Sequence, residues 1–409
     1  MKERFAALRL AASGLPGDAT LLFWLFALHL LTVWGLALSN AFLGAMIIGA
    51  VYFRRQLDWR WPEAAPILVP LGCFSILYVT ASLYSLDRDT SLGELADLTS
   101  FATVLLAPVL VRGERAVRGI CRALVAVICV LAAHGIWQYL FTDYGSLHRR
   151  IVGVFSHYQT FAGILLIGLL VVAAELATGS GWRSPWRWAA FGLIFSALLL
   201  TLTRGAWVAA ALTLGGLAIA RARRFLTVYV LAAALLALFM VFLAPATWLE
   251  RAESISDLQD VSNYDRLCMA EAGFYMVSER PIFGVGPEAV KALYPIYRHP
   301  TAPRLNVPHL HNAILMRAVE QGLPSLLIYG WMMAAAVGMS WRAYRQGRAA
   351  DLSLAALMVV IGFNIASLFE DNWRDTEVRR LLLFFLALPL CLEEPERRLE
   401  DPESEVETT

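Results

Sequence analysis

Long apolar runs alternate with short polar segments along almost the whole chain. Most of these runs are long enough to cross a hydrocarbon core about 30 Å thick. We predict twelve spans, at residues 20–38, 40–53, 66–85, 94–112, 117–140, 159–176, 187–203, 205–221, 225–245, 324–341, 352–369 and 379–393. The run at 40–53 is short, but AFLGAMIIGAVYF is too apolar to lie in water. The pattern predicts an all-α polytopic membrane protein.

One long polar segment interrupts this alternation between the ninth and tenth spans. Residues 246–323 carry helix and turn signals but no run that could span a bilayer. The chain is therefore predicted to contain a nine-span region (1–245), this segment (246–323), a three-span region (324–393) and an acidic tail (394–409). The tail, EPERRLEDPESEVETT, has almost no apolar residues, which predicts disorder.

Basic residues occupy every second short loop, and this alternation sets the orientation. The basic residues of these loops are Lys2, Arg4, Arg9, Arg54, Arg55, Arg60, Arg112, Arg115, Arg118, Arg183, Arg187, Arg221, Arg223, Arg224, Arg342, Arg345 and Arg348. Loops rich in Lys and Arg face the cytoplasm. Both termini and the tail are therefore predicted to be cytoplasmic, and residues 246–323 to lie on the extracytoplasmic side of the membrane.

The composition agrees with a membrane protein and narrows the possible functions. Hydrophobic residues make up 58% of the 409 residues and charged residues only 16%, against about 25% in soluble domains. The formal net charge of +1 indicates no nucleic-acid partner. Five cysteines lack the spacing of a disulfide framework or a CxxC metal site.

Several arginines lie on the predicted extracytoplasmic side, against the usual bias. They are Arg149, Arg150, Arg204, Arg251, Arg266, Arg280, Arg298 and Arg304. We interpret Arg251, Arg280 and Arg298 as solvated surface charges. Arg204, in TLTRGAW, has almost no loop around it and must lie at membrane depth, where ionisable groups are costly and usually functional.

Arg266 lies in a predicted helix of the extracytoplasmic segment. Ser262 resembles an N-cap with Asp265 three residues later, and Pro281 ends the helix. Arg266 would then fall in the first turn, where the helix dipole disfavours a cation unless a bound anion shares that terminus. Its planar guanidinium suits bidentate contact with phosphate oxygens.

Two histidines, His309 and His311, precede a helix that we expect to begin at Asn312. We predict no metal site, because the pair lacks an accompanying HExxH or DxD motif and the nearest carboxylate along the chain is nine residues away. Imidazole is well suited to accept a proton near neutral pH. The residues leave His311 open between a general base and an interfacial polar residue, and His309 is assigned a structural or secondary polar role. Glu370 and Asp371, at the end of the eleventh span, could orient a base, hold an acceptor sugar or form a hydrated span end.

Four stretches resemble motifs of the bacterial O-antigen ligases. His311-Asn312 followed by nine residues and Gly322 is similar to their His-[Asn/Ser/Gln]-x9-Gly-x-x-Gly signature, with Ser325 in place of the second glycine. DRLCMAEAGFYMVSERPIFGVGPEAV resembles their Arg-containing helix and Gly-x-Gly turn, TLTRGAWVAA their Arg-Gly-Ala segment, and RRIVGVFSHYQTFAGIL their Gly-x-Phe stretch.

The resemblance implies transfer of a glycan from undecaprenyl pyrophosphate to a hydroxyl of the lipid A–core oligosaccharide, on the periplasmic face of the bacterial inner membrane, during lipopolysaccharide assembly. On this basis His311 is the expected base, and Arg204 and Arg266 bind the donor pyrophosphate. Arg149, Arg150 and Arg304 are further candidates for that contact. Inverting attack without metal or cofactor is expected, since the arginines can neutralise the leaving group.

Other functions are compatible with parts of the pattern. An O-antigen polymerase and a protein O-oligosaccharyltransferase share motifs with the ligases. A lipid-linked glycan transporter would show inverted repeats or Gly/Pro-broken spans, and no convincing pair is present. A non-catalytic assembly protein leaves the periplasmic arginines unexplained.

Overall fold

A computed structural model of the chain describes residues 17–59, 61–146, 149–178, 181–220, 223–242, 246–255, 257 and 260–393. Within these ranges the secondary structure is helical and contains no strand, which confirms the predicted all-α class. The α-helices are α1 (Gly17–Leu31), α2 (Leu36–Tyr52), α3 (Trp61–Leu83), α4 (Arg88–Gly93), α5 (Ala102–Leu110), α6 (Gly113–Phe141), α7 (Tyr158–Ala177), α8 (Pro185–Leu200), α9 (Arg204–Ala220), α10 (Arg223–Phe242), α11 (Ala246–Glu253), α12 (Val261–Glu279), α13 (Val290–Tyr297), α14 (Ala313–Arg345), α15 (Ala350–Ala366) and α16 (Thr376–Cys391). Glu94–Phe101 and Gly181–Arg183 form 3-10 helices.

Each predicted span falls on a helix, with shifted boundaries. In the described part of the chain, five continuous helical stretches are long and apolar enough to cross a membrane, and six further apolar helices are shorter. The first window is interrupted, because α1 ends at Leu31 and a new helix starts at Leu36. The fold is that of a polytopic membrane protein, and the count of twelve spans stays a prediction. Lys2, Arg4, Arg9 and the tail 394–409 lie outside the described residues.

Helix α7 forms the centre of the bundle. It is apolar on all sides, as expected for a helix surrounded by protein, and every residue from Gln159 to Ala177 is buried. Its main neighbours are α15 and α8. The central position of α7 brings its N-terminal residues, Tyr158 and Gln159, to one end of the bundle.

The loops predicted to be cytoplasmic meet at one end. Arg112 forms an ion pair with Asp58 at 2.8 Å, Arg118 pairs with Asp351, and Arg348 pairs with Glu393 at 3.2 Å. The grouping is the one that the alternating basic loops predict.

A break in α14 separates the helix into a short first part and a long second part. Gly322 has a φ of +82° and a ψ of 171°, and a Cβ built there would lie 2.1 Å from the Ile282 carbonyl oxygen. The turn Gly284–Gly286 packs into this break, with hydrogen bonds from Val285 N to the Val319 oxygen (2.8 Å) and from Gly286 N to the Glu320 oxygen (3.0 Å). The close backbone approach explains why glycine is needed at 322. Ser325 is accommodated, since its hydroxyl donates to Gln321 Oε1 at 2.7 Å.

Helix α12 begins earlier than predicted. Its N-cap is Asp260, whose carboxylate accepts from Asn263 N, so the predicted cap at Ser262 is wrong. Arg266 therefore lies in the second turn of α12 rather than the first. The prediction failed because Asp260 and Ser262 are both good caps, and the local pattern does not choose between them.

Candidate active site

A cavity of about 170 Å³ opens where the N-terminal ends of α7 and α9 meet α12 and the loop between α15 and α16. The charged groups in its wall are Arg150, Arg204, Arg251, Arg266, Arg304, Asp265 and Glu370, and His311 and Tyr158 also contribute. Five arginines against two carboxylates make the cavity strongly cationic. A cavity of this charge is suited to a polyanionic ligand.

His311 is held at the cavity by backbone contacts on both sides. Asn312 caps α14 by accepting from Leu315 N at 2.9 Å, and the α14 N-terminus is tied to the end of α15 by a hydrogen bond from Ala313 N to the Ser367 oxygen at 2.9 Å. His311 has a φ of +51°, an uncommon left-handed conformation for a residue with a Cβ. The predicted helix start at Asn312 is confirmed, and His311 immediately precedes this N-cap residue.

Glu370 orients the His311 imidazole. Nδ1 of His311 lies 2.9 Å from Glu370 Oε2 and 3.0 Å from Oε1. Burial disfavours the charged form of Glu370, but the charges of His311, His309 and Arg266 and the His311 hydrogen bond outweigh it and hold the pKa of Glu370 at about 2. An ionised carboxylate only accepts hydrogen bonds. Because the carboxylate accepts from it, Nδ1 of His311 carries a proton, and in the neutral form of the ring the lone pair is then on Nε2.

His309 joins the same carboxylate. Its Nε2 lies 3.6 Å from Glu370 Oε1, and its ring centroid is 4.3 Å from that of His311. The sequence argument against a metal site assumed that the two histidines have no nearby carboxylate, and this assumption is wrong. His309, His311 and Glu370 form the group in the described residues whose ligand atoms could hold a metal ion.

Arg266 faces the cavity without a protein partner. Within the described ranges no hydrogen bond or ion pair engages its guanidinium. Burial lowers the pKa of Arg266, and the Glu370 carboxylate opposes this effect. A desolvated guanidinium without a partner is costly, so a bound anion would be stabilising here.

Arg204 is buried at the cavity wall and is already engaged by protein groups. Its Nη1 donates to the Ser254 carbonyl at 2.6 Å, to Ser254 Oγ at 2.8 Å and to Asp260 Oδ1 at 3.2 Å, while Nη2 donates to Ser262 Oγ at 3.2 Å. These contacts fasten the start of α12 to the N-terminus of α9. Arg204 therefore also fixes the position of the wall that carries Arg266.

Arg150 and Arg251 converge on one carbonyl. Arg150 Nη1 donates to the Leu202 oxygen at 3.4 Å, and Arg251 Nε donates to the same oxygen at 3.3 Å. Arg150 also lies 4.3 Å from the centroid of the Tyr158 ring. Burial and the charges of Arg150 and Arg204 lower the pKa of Arg251 to about 10. An anion would relieve this crowding of like charges.

The other two candidate arginines lie in different settings. Arg304 borders the cavity and pairs with Asp265 at 3.2 Å, with just over half of its side chain exposed. Arg149 points away from the cavity and pairs with Asp143 at 3.2 Å, with a similarly exposed side chain. The structure therefore brings Arg304 to the cavity wall and leaves Arg149 outside it.

Asp371 points into a separate buried cluster. Its Oδ2 accepts from Arg317 Nη2 at 3.3 Å, and the same Nη2 lies 3.1 Å from Glu320 Oε2. Glu370 and Asp371 are both buried, so the alternative of a hydrated span end is wrong for both. Glu370 takes the predicted orienting position, whereas Asp371 does not line the cavity.

Residues 188–330 match the family described as O-Antigen ligase. This match supports membership of the chain in the O-antigen ligase family. A search of the curated proteins found no match. Members of the O-antigen ligase and polymerase superfamily are glycosyltransferase-like enzymes.

The O-antigen ligase match contains much of the cavity wall but not all of it. It includes Arg204, Arg266 and His311, whereas Arg150 and Glu370 lie outside residues 188–330.

The prediction of a solvated Arg251 is wrong, because this residue lines the cavity. Trp248, three residues earlier in α11, is buried. Residues three apart share a helix face, so the Trp248–Arg251 spacing was the available signal for a buried arginine.

Proposed function

We propose that this protein is an O-antigen ligase. It transfers a glycan from undecaprenyl pyrophosphate to a hydroxyl of lipid A–core oligosaccharide, with its active site on the periplasmic face of the bacterial inner membrane. The observation that carries the proposal is the cavity itself, in which the oriented His311 and the unpartnered Arg266 share one wall. A base and an anion clamp are the two groups that such a transfer requires.

The arginines stabilise the leaving group. When the bond between the anomeric carbon and the pyrophosphate oxygen breaks, negative charge develops on that oxygen. Arg266, with Arg150 and Arg251 nearby, offers fixed positive charge in a partly desolvated cavity, where electrostatic stabilisation is strongest. Arg204 is the second predicted clamp residue, and it holds the α12 start in place as well.

His311 acts as the general base. The acceptor hydroxyl gives its proton to Nε2 as its oxygen attacks the anomeric carbon, and Glu370 stabilises the resulting imidazolium through Nδ1. The products are the extended lipid A–core, undecaprenyl pyrophosphate and a protonated His311, which then returns its proton to solvent. A single displacement inverts the anomeric configuration, because no enzyme nucleophile intervenes.

Metal independence is part of this proposal. The charge that neutralises a pyrophosphate can come from the arginines of the cavity, and the donor carries its own driving force. His309 borders the base and shares Glu370 with it, so we assign it a secondary polar role.

Two related activities use the same donor and differ in the acceptor. A polymerase transfers to a second lipid-linked glycan, and a protein O-oligosaccharyltransferase transfers to a protein hydroxyl. A transporter would use the cavity for passage and would have no need of the His311–Glu370 pair at its wall.

Reconstituted protein tests the proposal directly. Purified protein in liposomes is given lipid-linked glycan together with lipid A–core, with a second lipid-linked glycan alone, or with a serine-containing acceptor peptide. We expect a joined lipid A–core product, visible as a mobility shift on a gel, that His311→Ala does not form. Product from the second glycan or from the peptide, without any joined lipid A–core, would replace the ligase by the corresponding related activity.

A further inference from the structure

The group formed by His309, His311 and Glu370 has the shape of a metal-binding site. One ligand atom from each residue lies within 4.8 Å of the other two. His311 Nδ1 and Glu370 Oε2 are 2.9 Å apart, and His309 Nε2 and Glu370 Oε1 are 3.6 Å apart. In a tetrahedral zinc site with bonds of about 2.0 to 2.1 Å, the ligand atoms lie roughly 3.3 Å apart. These two distances, to the two oxygens of one carboxylate, lie on either side of that value, and the ligand atoms of the two histidines lie within 4.8 Å of each other, so the side chains must adjust to hold the ion.

The types of ligand atom in this group favour one class of cation. Two imidazoles and one carboxylate suit Zn²⁺, whereas Mg²⁺ and Ca²⁺ prefer oxygen ligands throughout. Three protein ligands leave the fourth tetrahedral position open, and two of them, His311 and Glu370, line the cavity. The carboxylate is itself fixed, since Asp371 N donates to Glu370 Oε1 at 3.2 Å. Such support of a ligand strengthens a metal site.

The surrounding charge determines how strongly the site is occupied. Five arginines line the same cavity, and they repel a divalent cation. We therefore expect Zn²⁺ to bind reversibly when its free concentration is raised, rather than to remain bound during purification.

We propose that His309, His311 and Glu370 form an inhibitory Zn²⁺ site that switches off the base. The inhibition rests on the proposed function, whereas the binding does not. Zn²⁺ takes the lone pair of His311 Nδ1, so the single proton of the neutral ring moves from Nδ1 to Nε2 without net proton release. Nε2 then donates a hydrogen bond and cannot accept the proton of the acceptor hydroxyl. The metal also removes Glu370 as the partner of the imidazolium.

Binding is measured first, without any substrate. Titration of the purified, chelator-washed protein with Co²⁺ is followed by its visible absorption, which is intense only for tetrahedral coordination, and Zn²⁺ is then added as competitor. We expect one tetrahedral ion per chain, displaced by Zn²⁺. His309→Ala and Glu370→Gln should each weaken binding by at least about 100-fold, since they remove a ligand or its charge. His299→Ala serves as the matched control, because His299 lies outside the cavity wall and bonds to Thr301 instead.

Transfer is measured next at buffered free Zn²⁺. Wild-type and His299→Ala proteins should lose transfer as Zn²⁺ rises and recover it on addition of EDTA, with Mg²⁺ having no effect. The Zn²⁺ concentration for half-inhibition, expressed relative to each variant's own activity, should rise at least about 100-fold in His309→Ala, in step with its weakened binding.

The possible outcomes separate the two proposals. Absence of tetrahedral Co²⁺ signal, or binding that His309→Ala leaves unchanged, overturns the metal site. Binding at the site that leaves transfer unaffected overturns the inhibition. Failure of the protein to join any glycan to lipid A–core refutes the ligase and leaves the binding result standing.

Discussion

Two charged clusters lie on either side of the loop between α15 and α16. Glu370 faces the cavity with His311, and Asp371 faces a buried cluster formed by Arg317, Glu320 and Asp371. At the rim of the buried cluster, Glu288 accepts from Arg374 and its backbone N donates to Glu320 Oε1 at 2.9 Å.

The two clusters differ in charge balance and in how fully their groups are paired. The cavity has an excess of arginine, and the Arg266 guanidinium has no protein partner among the described residues. In the buried cluster carboxylates are in excess, and Arg317 contacts both Glu320 and Asp371. Buried ion pairs hold helices together, whereas charges left facing a cavity are available for a ligand. We therefore expect substitutions in the cavity to impair transfer, and those in the buried cluster to impair folding.

The largest expected effect lies on the cavity side, at the base. His311→Ala should lower the transfer rate by about 10²- to 10⁴-fold, the contribution typical of a general base, with protein level and donor binding largely intact. His309→Ala should be milder. Turnover of purified protein, with binding of lipid-linked donor as the control, provides the measurement. Transfer by the His311 variant at near the wild-type rate removes this residue from the mechanism.

Arg317 is the corresponding test of the buried cluster. Arg317→Met leaves Glu320 and Asp371 buried without the cation that they share, which should cost about 3 to 5 kcal/mol of the free energy of unfolding. Thermal unfolding in detergent measures the loss, with Arg280→Met as the exposed control. A variant that unfolds like the wild type but no longer binds donor would assign Arg317 to donor binding. The functional distinction between the cavity and the buried cluster would then be wrong.

The two arginines proposed to bind the pyrophosphate should show a smaller effect, and it should appear in donor binding and turnover rather than in stability alone. Arg266→Ala and Arg204→Ala should each weaken donor binding or turnover by about 2 kcal/mol, roughly 30-fold, for a lost charge-assisted contact. Lysine at either position keeps the charge but loses the planar fork, so Lys variants should fall between wild type and Ala. Arg204→Ala should lower stability as well, because of its contacts to Ser254 and Asp260.

Unchanged donor binding and turnover in both Ala variants would redirect the search for the clamp. Arg150, Arg251 and Arg304 would be the remaining cavity candidates.

We expect a modest pH dependence of stability from Glu288, at the rim of the buried cluster. Burial and the charge of Glu320 raise the pKa of Glu288 from 4.5 to about 7, against the opposing charge of Arg374. The folded state therefore holds this proton more tightly than the unfolded state, and its contribution to stability is lost as pH rises from about 4.5 to 7. Glu288→Gln should remove that slope and stabilise the protein by about 1 to 2 kcal/mol at pH 8. Denaturation midpoints of both proteins at pH 5 and pH 8 measure it, and equal slopes would contradict the assignment.

The smallest expected effect is that of chelation on transfer. Excess EDTA should leave turnover unchanged, because the cavity arginines supply the positive charge that the leaving group needs. Turnover in EDTA is compared with turnover after addition of Mg²⁺, Mn²⁺ or Ca²⁺. Activity that disappears in EDTA and returns with one of these ions would give the carboxylates a catalytic metal and end the arginine-only mechanism.

The helices follow from local pattern. Apolar runs long enough to span a bilayer must satisfy their backbone groups internally, so each predicted window could be recognised from its own residues and lies on a helix. Candidate chemistry could also be recognised locally, because arginines on the wrong side and histidines before a helix are unusual in such a chain. Resemblance to the ligase motifs then selected Arg204, Arg266 and His311, and the structure brings all three to one cavity.

Only the tertiary structure decided which charges act together. His311 and Glu370 are 59 residues apart along the chain, and Arg317 and Asp371 are 54 apart. Glu370 and Asp371 are neighbours with the same chemistry, so no local pattern distinguishes their roles. The loop directs one carboxylate into the cavity and the other into the buried cluster, because packing of α14 against α15 places His311 on one side and Arg317 on the other. Pairing between distant charges depends on distances that the folded backbone alone establishes.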